Sequence, residues 1–131
     1  MKVIDGTNAI LGRLASYAAK EALGGEEIRI INCEKVIITG SRSNIRERLE
    51  IKRRRVGSGQ QGPKYPRSAE MIVKRVIRGM LPHHQQGRGK VALSKIKCYI
   101  GVPKEFETAK KIVGGKEKKF KFVHMEDMTT K

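Results

Sequence analysis

The sequence predicts one α/β domain in which a mainly parallel sheet is covered by helices. The chain has 131 residues, enough for a single domain with a buried core. Short apolar runs alternate with segments of helical periodicity, and the connections between the apolar runs suit parallel strand pairing. Apolar residues form 38% of the chain, and no apolar run approaches the ~20 residues of a membrane-spanning helix. Neither a disordered basic tail nor a membrane protein is therefore expected.

The first part of the chain predicts a strand followed by a helix. Lys2–Asp5 forms the strand, and a side-chain oxygen of Thr7 or Asn8 is expected to cap a helix over residues 9–23. Alanine and leucine residues share one side of this helix, which would let it lie close to a sheet. The helix is expected to end at Gly24-Gly25, since glycine adopts the left-handed conformation common after helices.

Strands and helices continue to alternate as far as residue 100. The strands are predicted over residues 28–32, 36–39 and 96–100, and the helices over residues 44–56, 69–80 and 91–94. Asn44 and Glu47 have the spacing of a helix cap and its reciprocal partner, and Ser68 is expected to cap the next helix. Polar loops connect these elements over residues 57–67 and 83–90. The lysine-rich tail over residues 104–131 has no assigned structure.

The charge of the chain is strongly positive and unevenly distributed. There are 29 Lys and Arg residues against 13 Asp and Glu, a formal net charge of +16. Residues 1–40 contain five basic and five acidic residues, whereas residues 41–100 carry a net charge of +13. This distribution predicts a neutral scaffold portion (1–40) and a basic portion (41–100) that binds a polyanion, with nucleic acid the obvious one.

Arginine supplies most of the charge up to residue 78, and its planar guanidinium suits phosphate. The sequence contains three Tyr, three Phe and no Trp, too few to suggest a platform for stacked single-stranded bases, so folded RNA is favoured. His84 could reach bases or 2′-hydroxyls, although contact with phosphate is favoured. Glycines that would let the backbone approach a sugar–phosphate chain are Gly57, Gly59, Gly62, Gly87 and Gly89. Charge and helical phase select Arg42, Arg46, Arg48, Arg53, Arg54, Arg55, Lys64, Arg67, Lys74, Arg75 and Lys90 as RNA-binding residues.

The motifs give little support to an enzyme or a metal site. Gly6 and Gly12 lie between a strand and a helix but match neither a phosphate-binding loop nor a dinucleotide fingerprint. A tight turn is the favoured interpretation, and a nucleotide-dependent α/β enzyme is the alternative. Cys33 and Cys98, 65 residues apart in a chain without a signal-peptide pattern, predict free thiols in a reducing compartment. No catalytic residue, metal or cofactor is predicted.

Several stretches of the sequence together form a family signature. Its N-terminal part consists of three stretches: Ile4-Asp5-Gly6, Leu11-Gly12-Arg13-Leu14-Ala15 and Ile31-Asn32-Cys33-Glu34-Lys35-Val36-Ile37-Ile38-Thr39-Gly40. The most distinctive stretch is Arg78-Gly79-Met80-Leu81-Pro82-His83 with Gly87-Arg88-Gly89, followed by Lys97-Cys98-Tyr99-Ile100-Gly101-Val102-Pro103. Over residues 2–104 the chain resembles the universal large-subunit ribosomal protein thirteen family, in its archaeal and eukaryotic form rather than its bacterial form.

The resemblance implies a three-layer α/β/α domain with a four-stranded parallel sheet. It also implies binding to large-subunit ribosomal RNA early in assembly, without catalysis, on cytoplasmic ribosomes. Neighbouring large-subunit ribosomal proteins are the other expected partners; no membrane, small-molecule substrate or intrinsic homo-oligomer is expected. A regulator that binds messenger RNA outside the ribosome is a further alternative. By this resemblance the RNA-facing residues are Arg78, Gly79, Pro82, His83, Gly87 and Arg88.

Overall fold

A computed structural model describes residues 1–55 and 64–129 of the chain, and we label its strands and helices in chain order. The strands are β1 (Lys2–Asp5), β2 (Ile28–Ile31), β3 (Ile37–Thr39), β4 (Ile96–Cys98), β5 (Lys111–Val113) and β6 (Phe122–His124). The helices are α1 (Leu11–Leu23), α2 (Arg42–Arg54), α3 (Ala69–Met80), α4 (Gly87–Ser94) and α5 (Met125–Thr129). Within the described residues, every helix is too short or too polar to cross a membrane.

Four strands form a parallel sheet in the order β4-β2-β1-β5. β1 pairs with β2 so that Ile4 lies opposite Ile30, and β5 pairs with the other side of β1. Ile4 and Ile30 are buried on one face and Val3 and Ile31 on the other, as expected for central strands covered on both faces. The α/β prediction is therefore confirmed: four parallel strands are flanked by helices, in agreement with a three-layer α/β/α domain.

Helix α1 packs a stripe of small residues against α3 and the sheet. Its buried residues are Leu14, Ala15, Ala18, Ala19 and Ala22. The predicted cap is wrong, because the helix begins at Leu11 and no side chain of the described residues caps it. Asn8 lies in the preceding turn with φ 57°, and the Thr7 hydroxyl donates to Asp5 Oδ1 at 2.7 Å instead of capping the helix. The predicted end is confirmed, with Gly25 in the left-handed region at φ 98°.

Helix α2 begins earlier than predicted, and the predicted side-chain caps of α2 and α3 are not formed. α2 starts at Arg42, because the extended Ser41 occupies the N-cap position and leaves Asn44 inside the first turn. The predicted pairing of Asn44 with Glu47 as a cap is therefore wrong. The bounds of α3 are those predicted, although the Ser68 side chain makes no capping hydrogen bond.

The lysine-rich tail supplies a strand to the main sheet and completes a second, smaller one. β5 lies at the edge of the main sheet, and β6 pairs antiparallel with β3 so that Ile37 lies opposite His124. The segment predicted as a strand over residues 36–39 is therefore part of the smaller sheet. The strand predicted over residues 96–100 ends at Cys98 and is not the last one. Strands of three residues among lysines carry too little periodicity to be predicted.

The buried apolar residues form three clusters, and one of these packs α2 against the rest of the protein. The main cluster lies between the sheet and helices α1, α3 and α4. On the opposite face of the sheet, Val3 packs against Phe106 from a short 3₁₀ turn. In the third cluster, Ile45 and Leu49 of α2 pack against Val123 of β6. The smaller sheet therefore anchors the helix that carries half of the predicted RNA-binding arginines.

Candidate nucleic-acid interface

Helix α3 separates an apolar face from a basic face, as its sequence predicts. Its fully buried branched side chains are Ile72, Val73 and Ile77. Lys74, Arg75 and Arg78 are partly exposed and border one surface cavity of about 280 Å³. Because the buried and basic residues lie on different sides, the core holds α3 in place while its cations face outwards.

Tyr65 joins α2 to α3 beneath this basic surface. Two cations lie over its ring: the Lys52 ammonium nitrogen and the Arg75 guanidinium carbon are each 5.3 Å from the ring centre. Both contacts have cation–π geometry. Arg75 also donates a hydrogen bond to the Lys64 carbonyl oxygen at 3.2 Å. Burial raises the pKa of Tyr65, although the neighbouring Arg75 and Arg53 oppose this effect, so the phenol stays protonated. Sequence reasoning missed Tyr65, whose signal was an aromatic residue between Lys64 and Pro66 in a basic segment.

The cavity beside α3 has basic sides and an apolar interior surface. No Asp or Glu is among the residues that line it in the described part of the chain. Met71 is 50% exposed there, so an apolar side chain lies beside the cations. The lining residues are Lys64, Pro66, Met71, Lys74, Arg75, Arg78 and Leu93. The structure thus brings four of the predicted RNA-binding residues together around apolar groups that the charge pattern did not indicate.

Helix α2 displays an almost unpaired set of arginines. Its exposed guanidinium groups, with that of the residue following it, belong to Arg42, Arg46, Arg48, Arg54 and Arg55. Within the described part of residues 41–100, the one ion pair joins Arg54 to Glu50 at 3.7 Å. Both of these side chains are at least half exposed, so the pair adds little stability and leaves the local potential positive.

Arg53 differs from the other arginines of α2 because it is only partly exposed. Its guanidinium donates to the Met128 carbonyl oxygen at 3.2 Å and so ties α2 to α5. With Arg54 and Arg67 it also lines a second surface cavity, of about 400 Å³. Its Nε is buried without a hydrogen-bond partner among the described residues. Arg53 therefore positions the end of α2 as well as adding positive charge.

The turn between α3 and α4 and the adjoining parts of both helices present the remaining candidates. His83 lies there in the left-handed region at φ 40°, and its carbonyl oxygen accepts a hydrogen bond from the Gln86 amide at 3.0 Å. The exposed candidates are Gly79, Pro82, His83, Gly87, Arg88 and Lys90, and His84 is half-buried. Helix α4 begins at Gly87, earlier than predicted, so Gly87 and Lys90 belong to a helix rather than to a loop.

Gly89 serves internal packing, and the expectation that it approaches a sugar–phosphate chain is wrong. It is buried, and a Cβ added to it would lie 1.7 Å from the Pro82 carbonyl oxygen. Only glycine therefore allows α4 to pack against the turn in this way. Gly57, Gly59 and Gly62 lie outside the described residues.

The turn around Gly6 is filled by the protein itself. A Cβ on Gly6 would lie 2.8 Å from Val36 Cγ2, and the Gly114 amide donates to the Asp5 carbonyl oxygen at 3.0 Å. The Asp5 carboxylate accepts hydrogen bonds from the Thr7 amide and from the Asn32 side chain, both at 3.0 Å. Burial alone would raise the pKa of Asp5, but these hydrogen bonds outweigh it and hold its pKa below the ordinary value. The tight-turn interpretation fits this packing.

Cys33 and Cys98 are free thiols close to each other in the core region. Cys33 is buried, while Cys98 is partly exposed at the end of β4. The Cys98 thiol and burial both raise the pKa of Cys33, which keeps it in the protonated, unreactive form. Across residues 1–55 and 64–129, no three histidine, cysteine or carboxylate side chains are grouped so that they could hold a metal ion.

The distinctive stretch around Pro82 and all of the main cluster except Met125 fall within a region that matches a known family. The family model described as ribosomal protein L13 matches residues 1–105. The chain belongs to the ribosomal protein L13 family. The resemblance predicted over residues 2–104 is therefore confirmed, and so is the prediction that the chain is not an enzyme, since this is a family of structural ribosomal proteins.

Relatives of this L13-family chain occur in several archaea under the name large ribosomal subunit protein uL13. That of Methanopyrus kandleri is 49% identical over 82% of this chain and 66% of its own length. That of Methanococcus maripaludis is 49% identical over 79% of this chain and 77% of its own length. That of Methanococcoides burtonii is 43% identical over 83% of this chain and 77% of its own length. The predicted archaeal character is thereby confirmed.

Proposed function

We propose that this L13-family chain binds folded large-subunit ribosomal RNA and stabilises it early in subunit assembly. The observation that carries the proposal is the basic portion, which has a net charge of +13 and a single ion pair within its described residues. Cations left unpaired on a folded surface lower the free energy of crowded RNA phosphates. The protein acts in the cytoplasm as one domain, beside neighbouring large-subunit proteins, with no cofactor and no self-association.

The form of the surface supports folded RNA over single strands. Tyr65 lies in the chain between the cavity-lining residues Lys64 and Pro66, and two cations already lie over its ring. It therefore offers no open platform for successive stacked bases, as single-strand readers do. Arginines on α2 and on α3 instead present forked donors to phosphates of a shaped RNA surface.

The predicted residues divide by what they do in the fold. Arg53 and Arg75 donate hydrogen bonds to backbone carbonyl oxygens, those of Met128 and Lys64 respectively. We therefore assign these two arginines a positioning role in addition to any contact with RNA. The remaining residues are assigned direct contact with RNA: Arg42, Arg46, Arg48, Arg54, Arg55, Lys64, Arg67, Lys74, Arg78, Gly79, Pro82, His83, His84, Gly87, Arg88 and Lys90.

A titration with two ribosomal RNAs tests the proposal. The full chain would be mixed with transcribed large-subunit or small-subunit ribosomal RNA of Methanococcus maripaludis, with an unrelated messenger RNA as a third ligand. We expect the large-subunit RNA to bind most tightly and its affinity to fall steeply with salt, since each neutralised phosphate releases counterions. Equal affinity for the three RNAs, or a flat response to salt, would contradict the proposal.

A pair of matched substitutions tests where the RNA binds. Arg78→Ala removes a cation from the cavity beside α3, and Arg13→Ala removes an exposed one from the neutral scaffold portion. Arg78→Ala should weaken binding several-fold and reduce the salt dependence, because one phosphate contact is lost. Arg13→Ala should leave both unchanged. A larger effect from Arg13→Ala than from Arg78→Ala would place the RNA on another face.

A further inference from the structure

The cavity beside α3 contains a group that a purely phosphate-binding surface does not need. Phosphate contacts require cations, and Lys74, Arg75 and Arg78 provide them. Met71 lies among these cations with half of its surface exposed, and Leu93 reaches the same cavity from α4. Met71, Leu93 and Pro66 together give the cavity an apolar surface that phosphate contacts do not use. This combination favours a partner that is apolar as well as anionic.

We propose that the cavity takes one unpaired nucleotide turned out of the folded large-subunit ribosomal RNA. Its base packs against Met71, Leu93 and Pro66, and its phosphates face the surrounding Lys and Arg side chains. This inference rests on the proposed function and deepens it, because it specifies a nucleotide site within the RNA-binding surface.

Size and chemistry both favour such an occupant. The cavity volume of about 280 Å³ is close to the lower limit of ~300 Å³ for small-ligand sites, which suits one base and not a stacked pair. A methionine sulfur interacts favourably with aromatic rings, and a flexible thioether adapts to any of the four bases. The absence of Asp and Glu among the described lining residues leaves nothing to repel the attached phosphates.

A charge-adding substitution separates base binding from phosphate binding. Met71→Lys increases the positive charge but puts a hydrated ammonium where the base would pack. Base insertion predicts about tenfold weaker binding, a loss of about 1.4 kcal/mol, because the base loses its apolar contact with the methionine side chain. The salt dependence should not decrease, since no phosphate contact is removed. Pure phosphate binding predicts equal or tighter binding.

Two further variants complete the experiment, which uses transcribed large-subunit ribosomal RNA of Methanococcus maripaludis. Ile51→Lys is the matched control, because Ile51 is 48% exposed on α2 and does not line the cavity. It should bind at least as tightly as the wild type. Met71→Leu keeps an apolar surface and should retain wild-type affinity. Thermal melting of each variant would verify that it folds.

The outcomes distinguish the two proposals. Selective binding by the wild type, with a loss confined to Met71→Lys, supports the nucleotide site. Selective binding that Met71→Lys leaves unchanged or strengthens overturns the nucleotide site and leaves the proposed function standing. A wild-type protein without preference for the large-subunit RNA overturns the proposed function and this inference with it.

Discussion

The structure predicts that adding a single methyl group at Gly89 strongly destabilises the fold. In Gly89→Ala the added methyl carbon would lie 1.7 Å from the Pro82 carbonyl oxygen and 3.0 Å from the His83 carbonyl oxygen. Both atoms belong to the backbone, so no side-chain rotation can relieve the contact. Helix α4 and the turn before it must therefore separate by more than an ångström.

The magnitude follows from what that movement disrupts. Ala92 of α4 is buried in the main cluster, and Leu93 packs against it. Overpacking a well-packed site typically costs ~1–3 kcal/mol, and a clash with backbone belongs at the upper end. About 3 kcal/mol lowers the melting temperature of a domain of this size by roughly 10 °C.

Thermal unfolding followed by circular dichroism would measure the effect. Gly79→Ala is the matched control, since a Cβ on Gly79 in α3 meets no atom within 4 Å. It should be neutral or stabilise the protein by about 0.5 kcal/mol, because alanine favours helix more than glycine does. If both variants melt with the wild type, the contact between Pro82 and α4 is not present in solution and the reasoning is wrong.

Three other perturbations have expected outcomes that follow from the described contacts. Asp5→Ala should cost about 1–3 kcal/mol at neutral pH, because the buried Asn32 amide loses its acceptor. Since the pKa of Asp5 is depressed in the folded state, its contribution is complete above the ordinary value of ~3.9 and is lost as pH falls through the folded-state pKa. Urea unfolding at several pH values should therefore show the variant and wild type converging in acid, and a constant gap would refute the assignment. Tyr65→Ala should lower the melting temperature and weaken RNA binding, because Lys52 and Arg75 lose the ring that they contact. Tyr65→Phe keeps the ring and should preserve stability and RNA binding. If both variants lose stability and affinity equally, the hydroxyl group and not the ring is responsible. Iodoacetamide should modify Cys98 well before Cys33 in the native protein, because Cys33 is buried with a raised pKa; mass spectrometry showing equal rates would contradict the described burial.

Elements with clear periodicity were predictable from the sequence, and elements defined by long-range pairing were not. The apolar stripe of α3 specifies its bounds, because burial of one face decides where that helix can lie. The caps of α1 and α2 were wrong because several neighbouring residues could cap equally well, and the tertiary turn decides between them. Strands β5 and β6 exist through pairing with β1 and β3, which no local pattern in a lysine-rich tail reveals.

The candidate site shows the same division. Charge and helical phase identified Lys74 and Arg75, since their positions follow from which face of α3 is buried, and the family resemblance identified Arg78. The positioning contacts of Arg53 with Met128 and of Arg75 with Lys64 span different elements and could only be seen in the structure. Met71 was visible as an apolar residue on the basic side of the helix. Its partners Leu93 and Pro66 come from elsewhere in the chain, so the cavity itself was not predictable.

The most direct test of the central claim is sedimentation of the protein from cells that produce it. A lysate would be separated on a sucrose gradient at physiological salt, and the chain would be detected in each fraction. We expect it to sediment with the large ribosomal subunit, because many phosphate contacts with the folded RNA act together at that ionic strength. Recovery at the top of the gradient or with the small subunit would contradict it.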